Sequence, residues 1–168
     1  KRQIWGGQLQ RWRNGVFNPN NPTSPTAFLP NDDEPALLPF IAKMSDDLLE
    51  FVEKPREVQI LDEKGKLLLA GDNERRFFEA AWVHKYNGKY YFSYSTGDTH
   101  FICYAIGDNP YGPFTYKGKI LNPVVGWTSH HSICEFKGKW YLFYHDSSLS
   151  KGVTHLRSIK IAEIQYDK

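Results

Sequence analysis

FEAAWVHKYNGKYYFSYSTG, residues 78–97, and TSHHSICEFKGKWYLFYHDS, residues 128–147, are two copies of one pattern, and their reading decides the fold. They align without a gap at an offset of 50, with Gly88 on Gly138, Lys89 on Lys139, Tyr91 on Tyr141 and Tyr94 on Tyr144. Val83 falls on Ile133, Tyr86 on Phe136 and Tyr90 on Trp140. Each copy holds two short runs of aromatic and β-branched residues, which suit a pleated, half-buried strand. The runs are joined by Asn87-Gly88 or Lys137-Gly138, joints that suit a tight hairpin.

Outside these copies, Tyr-, Phe-, Trp-, Val- and Ile-rich runs recur between Gly, Pro, Asn and Asp, and few windows hold a helical period. The chain reads as all-β. A thinner match at an offset of 63 sets residues 41–51 on residues 104–114, carried by Ala42/Ala105 and Phe51/Phe114. Repeats of about 40–60 residues in an all-β chain suggest propeller blades of four antiparallel strands. A half blade is expected over residues 1–62, a full blade over 76–121, and a full or nearly full blade over 127–167. That makes one partial propeller domain of about two and a half blades, where a closed ring needs about four or more. The Pro- and Asn-rich stretch at residues 14–39 cannot hold a central strand and reads as a long surface loop or insertion.

The length, 168 residues, suits one domain with a sizeable core. The 21 basic and 19 acidic side chains leave a net charge of +2, which argues against a dedicated nucleic-acid or membrane-surface binder. No apolar run reaches the length of a membrane-crossing helix, and no signal-peptide core is visible, which leaves the compartment open. The two cysteines, Cys103 and Cys134, are too few for a disulfide framework and are expected to be buried free thiols. Phosphate-cradling glycine loops, the G-x-S-x-G elbow and HExxH are absent from the sequence.

The first strand of each propeller blade lines the central axis, so the repeat points to a site. Equivalent positions on neighbouring blades hold Glu79 and, beside its counterpart Ser129, the pair His130-His131. Glu79 lies between Phe77-Phe78 and Ala80-Ala81-Trp82. Apolar surroundings favour the protonated form of a carboxyl, as a general acid requires. The alternative is a structural ion pair with Arg75 or Arg76. Adjacent strand residues face opposite ways, so at most one of His130 and His131 should face the axis; the other reading is a hydrogen-bonded core histidine. Arg157 could bind a sugar hydroxyl, carboxylate or phosphate, Asp98 could edge the same face, and Trp127 and Phe78 could stack on a sugar ring. Each also has a plain structural reading as surface, turn or packing residue.

With these residues in place, the chain resembles glycoside hydrolase family 43, the β-xylosidases, α-L-arabinofuranosidases and arabinanases. The resemblance rests on residues 77–114, on GWTSHHSICEFKGKWYLFYHD at 126–146 and on GVTHLRS at 152–158, and extends over essentially the whole chain. It implies a five-bladed β-propeller. Glu79 matches the family's general acid, with Ala81 where a proline is usual. His130 matches an axis histidine that helps hold a calcium ion or water, a structural ion rather than a required cofactor. Arg157 matches a sugar-contacting arginine, while Trp127 and Asp98 would line the pocket.

The family pattern has two further aspartates, a base and an orienting residue, and neither lies in the matched region. IWGGQLQRW at 4–12 resembles the strand that follows the second of them. The expectation is an inverting glycosidase acting on xylosyl or arabinofuranosyl linkages of xylo- or arabino-oligosaccharides. Its base would come from a second subunit of a homo-oligomer, or from Asp32, Asp33 or Glu34 of the long loop. The competing expectation is a non-catalytic carbohydrate-binding half propeller or an inactive fragment, and a third is a protein-contact module.

Overall fold

The computed structural model describes residues 30–97, 99–127 and 129–167, together with the backbone of three short strands nearer the N-terminus. No helix occurs among the described residues. Thirteen strands follow in order: β1 (Arg2–Trp5), β2 (Trp12–Arg13), β3 (Val16–Phe17), β4 (Phe40–Lys43), β5 (Arg56–Glu57), β6 (Ile60–Leu61), β7 (Glu79–Tyr86), β8 (Lys89–Ser95), β9 (Ile102–Gly107), β10 (Phe114–Leu121), β11 (His131–Phe136), β12 (Lys139–Asp146) and β13 (Ser158–Ile164).

Both hairpins form as the sequence implies. Their joints carry positive φ at both central residues, 45° and 81° at Asn87-Gly88 and 51° and 76° at Lys137-Gly138. This is the mirror-image turn whose twist suits adjoining strands. Tyr86 then pairs with Lys89, and Phe136 with Lys139.

The strands form sheets of unequal size: β1-β4-β5, β6-β10-β9-β8-β7, β11-β12-β13 and the small pair β2-β3. Neither large repeat is a plain four-stranded sheet. The first gains β6, which pairs parallel to β10 through Ile60↔Phe114 and Leu61↔Thr115. The second holds three strands among the described residues. β7 lies beside both β1 and β11, so the two inner strands of the repeat are neighbours.

Between the β4 and β8 sheets sits the main core, Ile41, Val58, Ile60, Leu68, Phe77, Phe92, Tyr94, Cys103, Ala105 and Phe114. Phe92 is fully buried, with the rings of Phe77 and Phe114 at 6.0 and 5.3 Å. Tyr94 is as deeply buried and donates its hydroxyl to the Arg75 carbonyl, which removes the cost of an unpaired polar group. Part of the stretch expected to be a surface loop belongs to this packing. Ala36 and Pro39 are buried, Ala36 donates to the Leu68 carbonyl at 2.9 Å, and Pro35 bridges to Leu69. Residues 16–17 form β3, and the rest of 14–29 lies outside the described residues.

A second interface, between the β8 and β12 sheets, is aromatic. Tyr86 stacks on Tyr166 at 3.8 Å, with Trp140 edge-on to both at 5.7 and 5.4 Å. Trp82 donates its indole N–H to the Ile133 carbonyl at 3.0 Å, and Ser93 Oγ meets His131 Nε2 at 2.6 Å. These bonds lock β11 against β7 and β8. Of the two cysteines, Cys103 is buried as expected, and burial pushes its thiol up to about 11. Cys134 is exposed, because it faces away from this interface on the far side of β11.

Candidate active site

Glu79 opens β7, and the backbone there departs from regular pairing. Glu79 pairs with Ser95 and Trp82 with Ser93, so an extra residue is accommodated between them. Ala80 takes it up with a φ of 60°. Left-handed backbone is costly for a residue with a Cβ, and such strain with a bulge is a common way to re-aim a side chain. The preceding Phe78 is fixed as well, since its N–H donates to the Ser95 carbonyl at 2.9 Å. Its ring lies over Gly97, where an added Cβ would stand 2.6 Å from Phe78 Cγ.

The carboxylate of Glu79 meets His130, with Oε1 at 3.2 Å from Nε2. The arginines considered as structural partners go elsewhere: Arg75 pairs with Asp72 at 2.6 Å, and Arg76 donates to the Asn73 side chain. Glu79 does not sit in the apolar pocket expected from its neighbours in sequence. Its side chain is 31% exposed and that of His130 is 49% exposed, so the pair is open to solvent and ligand. The ring of His145 lies parallel to His130 at 6.0 Å.

His130 and His131 do face opposite ways. His131 turns into the interface between sheets, where burial pushes its imidazole down to about 3. His84, in the same interface, meets the Tyr166 hydroxyl through Nε2 and is pushed down to about 4 by burial. Both are core histidines, and each leaves its buried Nδ1 without a hydrogen-bond partner among the described residues.

Trp127 and Arg157 are brought together by a residue that sequence reading missed. Thr154 Oγ1 accepts the Trp127 backbone N–H at 2.9 Å, and the Thr154 carbonyl accepts Arg157 Nε at 3.1 Å. Trp127 is 65% exposed, and its indole stands edge-on to His100 at 5.7 Å. An exposed indole suits the apolar face of a sugar ring, and a guanidinium its hydroxyls. The only sequence hint of Thr154 was its place in GVTHLRS, three residues before Arg157. Asp98 lies outside the described residues.

Asp32, Asp33 and Glu34, considered as a mobile source of a base, sit in a pinned turn. Gly71 donates to the Asp32 carbonyl, Ala70 to the Glu34 carbonyl, and Glu34 Oε2 accepts the Asn31 N–H at 2.8 Å. For a cation, the described residues offer little. Calcium takes about 6–8 oxygen donors. His130 is a nitrogen donor already facing Glu79, and no group of three or more His, Cys, Asp or Glu that could hold a metal occurs among the described residues. These residues do not build a calcium site on their own.

Residues 36–168 match the model of the glycosyl hydrolases family 43. A xylosidase/arabinosidase of Bacteroides ovatus is 65% identical over 164 residues, which are 98% of this chain and 49% of that protein. A β-xylosidase of Xylanibacter ruminicola is 59% identical with the same coverage. Among solved structures, a family 43 β-xylosidase/α-arabinofuranosidase from a compost microbial metagenome, in complex with xylotriose and calcium-free, superposes with a TM-score of 0.91 at 61% identity. That match covers 99% of this chain and 51% of the other. A Xanthomonas citri enzyme in complex with xylotriose gives the same TM-score at 52% identity, covering 99% and 50%. The chain thus spans about half the length of the relatives it matches. By the family model over most of its length and by these relatives, the chain belongs to glycosyl hydrolases family 43.

Proposed function

We propose that this chain supplies the acid-bearing part of a glycosidase that cleaves xylosyl or arabinofuranosyl linkages in xylo- or arabino-oligosaccharides. The observation that carries this reading is the Glu79–His130 pair at 3.2 Å, held by the strained bulge at Ala80 and open to ligand. Glu79 Oε1 is occupied by His130, and Oε2 is the oxygen that presents a proton to the leaving glycosidic oxygen. His130 fixes the carboxyl's orientation. Arg157 and Trp127, joined through Thr154, hold the terminal sugar.

Inversion requires a second carboxylate about 6.5–9.5 Å from the acid, to activate water on the opposite face of the sugar. The loop acids are pinned at residues 69–71, so bringing one in would break the bonds at Asp32 and Glu34. The base is therefore sought in the half of the relatives' length that this chain does not match, and the sheets are read as about two and a half blades of a five-bladed propeller. The pinned turn also favours a second reading, a carbohydrate-binding part without turnover.

The test is hydrolysis of xylotriose, whose alcohol leaving group needs protonation, with release of 4-nitrophenol from the β-D-xyloside and α-L-arabinofuranoside beside it, and Glu79→Gln prepared identically. Loss of a general acid lowers the rate by about 10²–10⁴-fold, and that loss is the expected result. Equal, measurable rates in the two proteins would overturn the assignment of Glu79. Xylotriose binding without product from either would favour the second reading.

A further inference from the structure

The loop between β8 and β9, residues 96–101, runs past both halves of the candidate site. At one end Gly97 lies against the ring of Phe78, which precedes Glu79 in the chain. At the other end the His100 ring stands edge-on to the Trp127 indole, with centroids 5.7 Å apart and planes at 68°. The loop is fixed from within and from outside. Thr96 is fully buried; its N–H donates to the Phe101 carbonyl and its Oγ1 accepts the Phe101 N–H, both at 3.1 Å. Thr99 Oγ1 meets Thr96 Oγ1 at 2.6 Å and donates to the Asn73 carbonyl at 2.6 Å. His100 donates its N–H to the Gly97 carbonyl at 2.8 Å, and its own carbonyl accepts the Ser129 hydroxyl at 3.4 Å. Ser129 is 1% exposed and adjoins His130, so this bond ties the loop to the segment that carries the partner of Glu79.

In this loop His100 takes a φ of 56°. A residue with a Cβ holds left-handed backbone only where its surroundings impose it, and here those hydrogen bonds do. The outcome is a half-buried imidazole set against an exposed indole. Thr154 fixes the Trp127 backbone but not its side chain, and among the described residues His100 is the ring that meets that side chain. An exposed indole free to change rotamer must be ordered each time a sugar stacks on it, whereas one already held loses less entropy. We infer that His100 is a positioning residue of the sugar site: its ring edge sets the angle of the Trp127 indole, and so raises the affinity for a pentose ring stacked on the open indole face. The inference rests on the proposed function in one respect, that Trp127 holds sugar, and the experiment separates the two.

The experiment compares this chain with His100→Asn, which removes the ring but suits left-handed backbone, and with His100→Phe, which keeps a ring edge and has no hydrogen-bonding atom. Near-ultraviolet circular dichroism, with the spectrum of Trp127→Phe subtracted, reads the order of the Trp127 indole without any ligand. Titration calorimetry with xylotriose reads the affinity. His100→Asn should lose most of the Trp127 band and raise the xylotriose Kd by about 2–13-fold, the contribution typical of an edge-to-face ring pair. His100→Phe should restore both. An intact Trp127 band in His100→Asn overturns the inference, and so does an unchanged Kd. A loss of affinity that His100→Phe leaves unrestored overturns it as well, since a hydrogen bond from the imidazole to the sugar would then be the role. Should His100→Asn fail to fold, His100→Gly removes the same ring and accepts the same backbone. A native chain that binds no xylotriose sinks the sugar-holding role of Trp127 in the proposed function and the affinity gain with it, while the Trp127 band still upholds or overturns the hold of His100 on the indole.

Discussion

Ala80 concentrates the cost of the site in one residue. Its φ of 60° is unfavourable for any L-residue with a side chain, yet it sits directly after Glu79. The bulge it belongs to interrupts the β7–β8 ladder between Glu79 and Trp82, and the Glu79 carboxylate meets His130. Gly97 shows the opposite logic, since only the lack of a Cβ lets the Phe78 ring lie against it. With a φ of 80° and Phe78 Cγ at 2.6 Å from the virtual Cβ, Gly97→Ala should destabilise the protein by about 1–3 kcal/mol. Urea unfolding would measure that loss, and an unchanged midpoint would contradict the packing described. In the proposed site, Thr154 acts at one remove from substrate. Thr154→Val deletes the bond to the Trp127 N–H but keeps the carbonyl that holds Arg157. A hydrogen bond of about 0.5–1.5 kcal/mol corresponds to a rise of about 2–13-fold in KM. Little change in kcat is expected, and steady-state kinetics on the active assembly would separate the two parameters.

Among the elements, the two hairpins are the most local structures in the molecule and the easiest to read in advance. Their turns need positive φ at two residues, and the sequence meets that need unequally. Asn87 tolerates the left-handed region, whereas Lys137 occupies it at 51° without a local hydrogen-bonding side chain. Lys137→Asn should therefore stabilise the protein by about 1 kcal/mol, raising Tm by about 2–4 °C. Differential scanning calorimetry would show it, and a fall in Tm would mean that the Lys137 contact with the Phe136 ring matters more. The strand count of each sheet was less legible. β6 is two residues long and joins β10 across more than fifty residues of chain, so no local pattern marks the pairing.

At the scale of the whole molecule, two histidines lie between the β8 and β12 sheets and link assembly to pH. His84 and His131 are pushed down to about 4 and about 3 by burial, from an ordinary value of 6.5. Folded protein keeps them neutral where the unfolded chain already binds protons. Stability is thus full above about pH 6.5 and falls as pH drops toward 4, because the unfolded state then holds more protons. Urea midpoints from pH 8 to pH 4 should decline below pH 6.5, and His131→Gln should flatten the decline. A profile unchanged by that substitution would place the acid sensitivity elsewhere. The same interface holds an open groove of about 490 Å³ lined by His84, Tyr91, Ser93, Tyr104 and Tyr166 among others, through which water can reach it as it loosens.

The amino-acid sequence by itself determined the all-β class, the two hairpins with their turns, the proximity of Glu79 and His130, and the opposite orientation of His130 and His131. These follow from short-range rules: strand period, turn chemistry and an internal repeat that sets matching residues side by side. Tertiary structure alone decided the rest. The left-handed Ala80, the Thr154 tether, the exposure of Cys134, the burial of Ala36 and Pro39, and the contact of His100 with Trp127 depend on which sheets pack together and which face each leaves open. Those contacts join residues tens of positions apart. Their free energy comes from area removed from water, which no local run of sequence records.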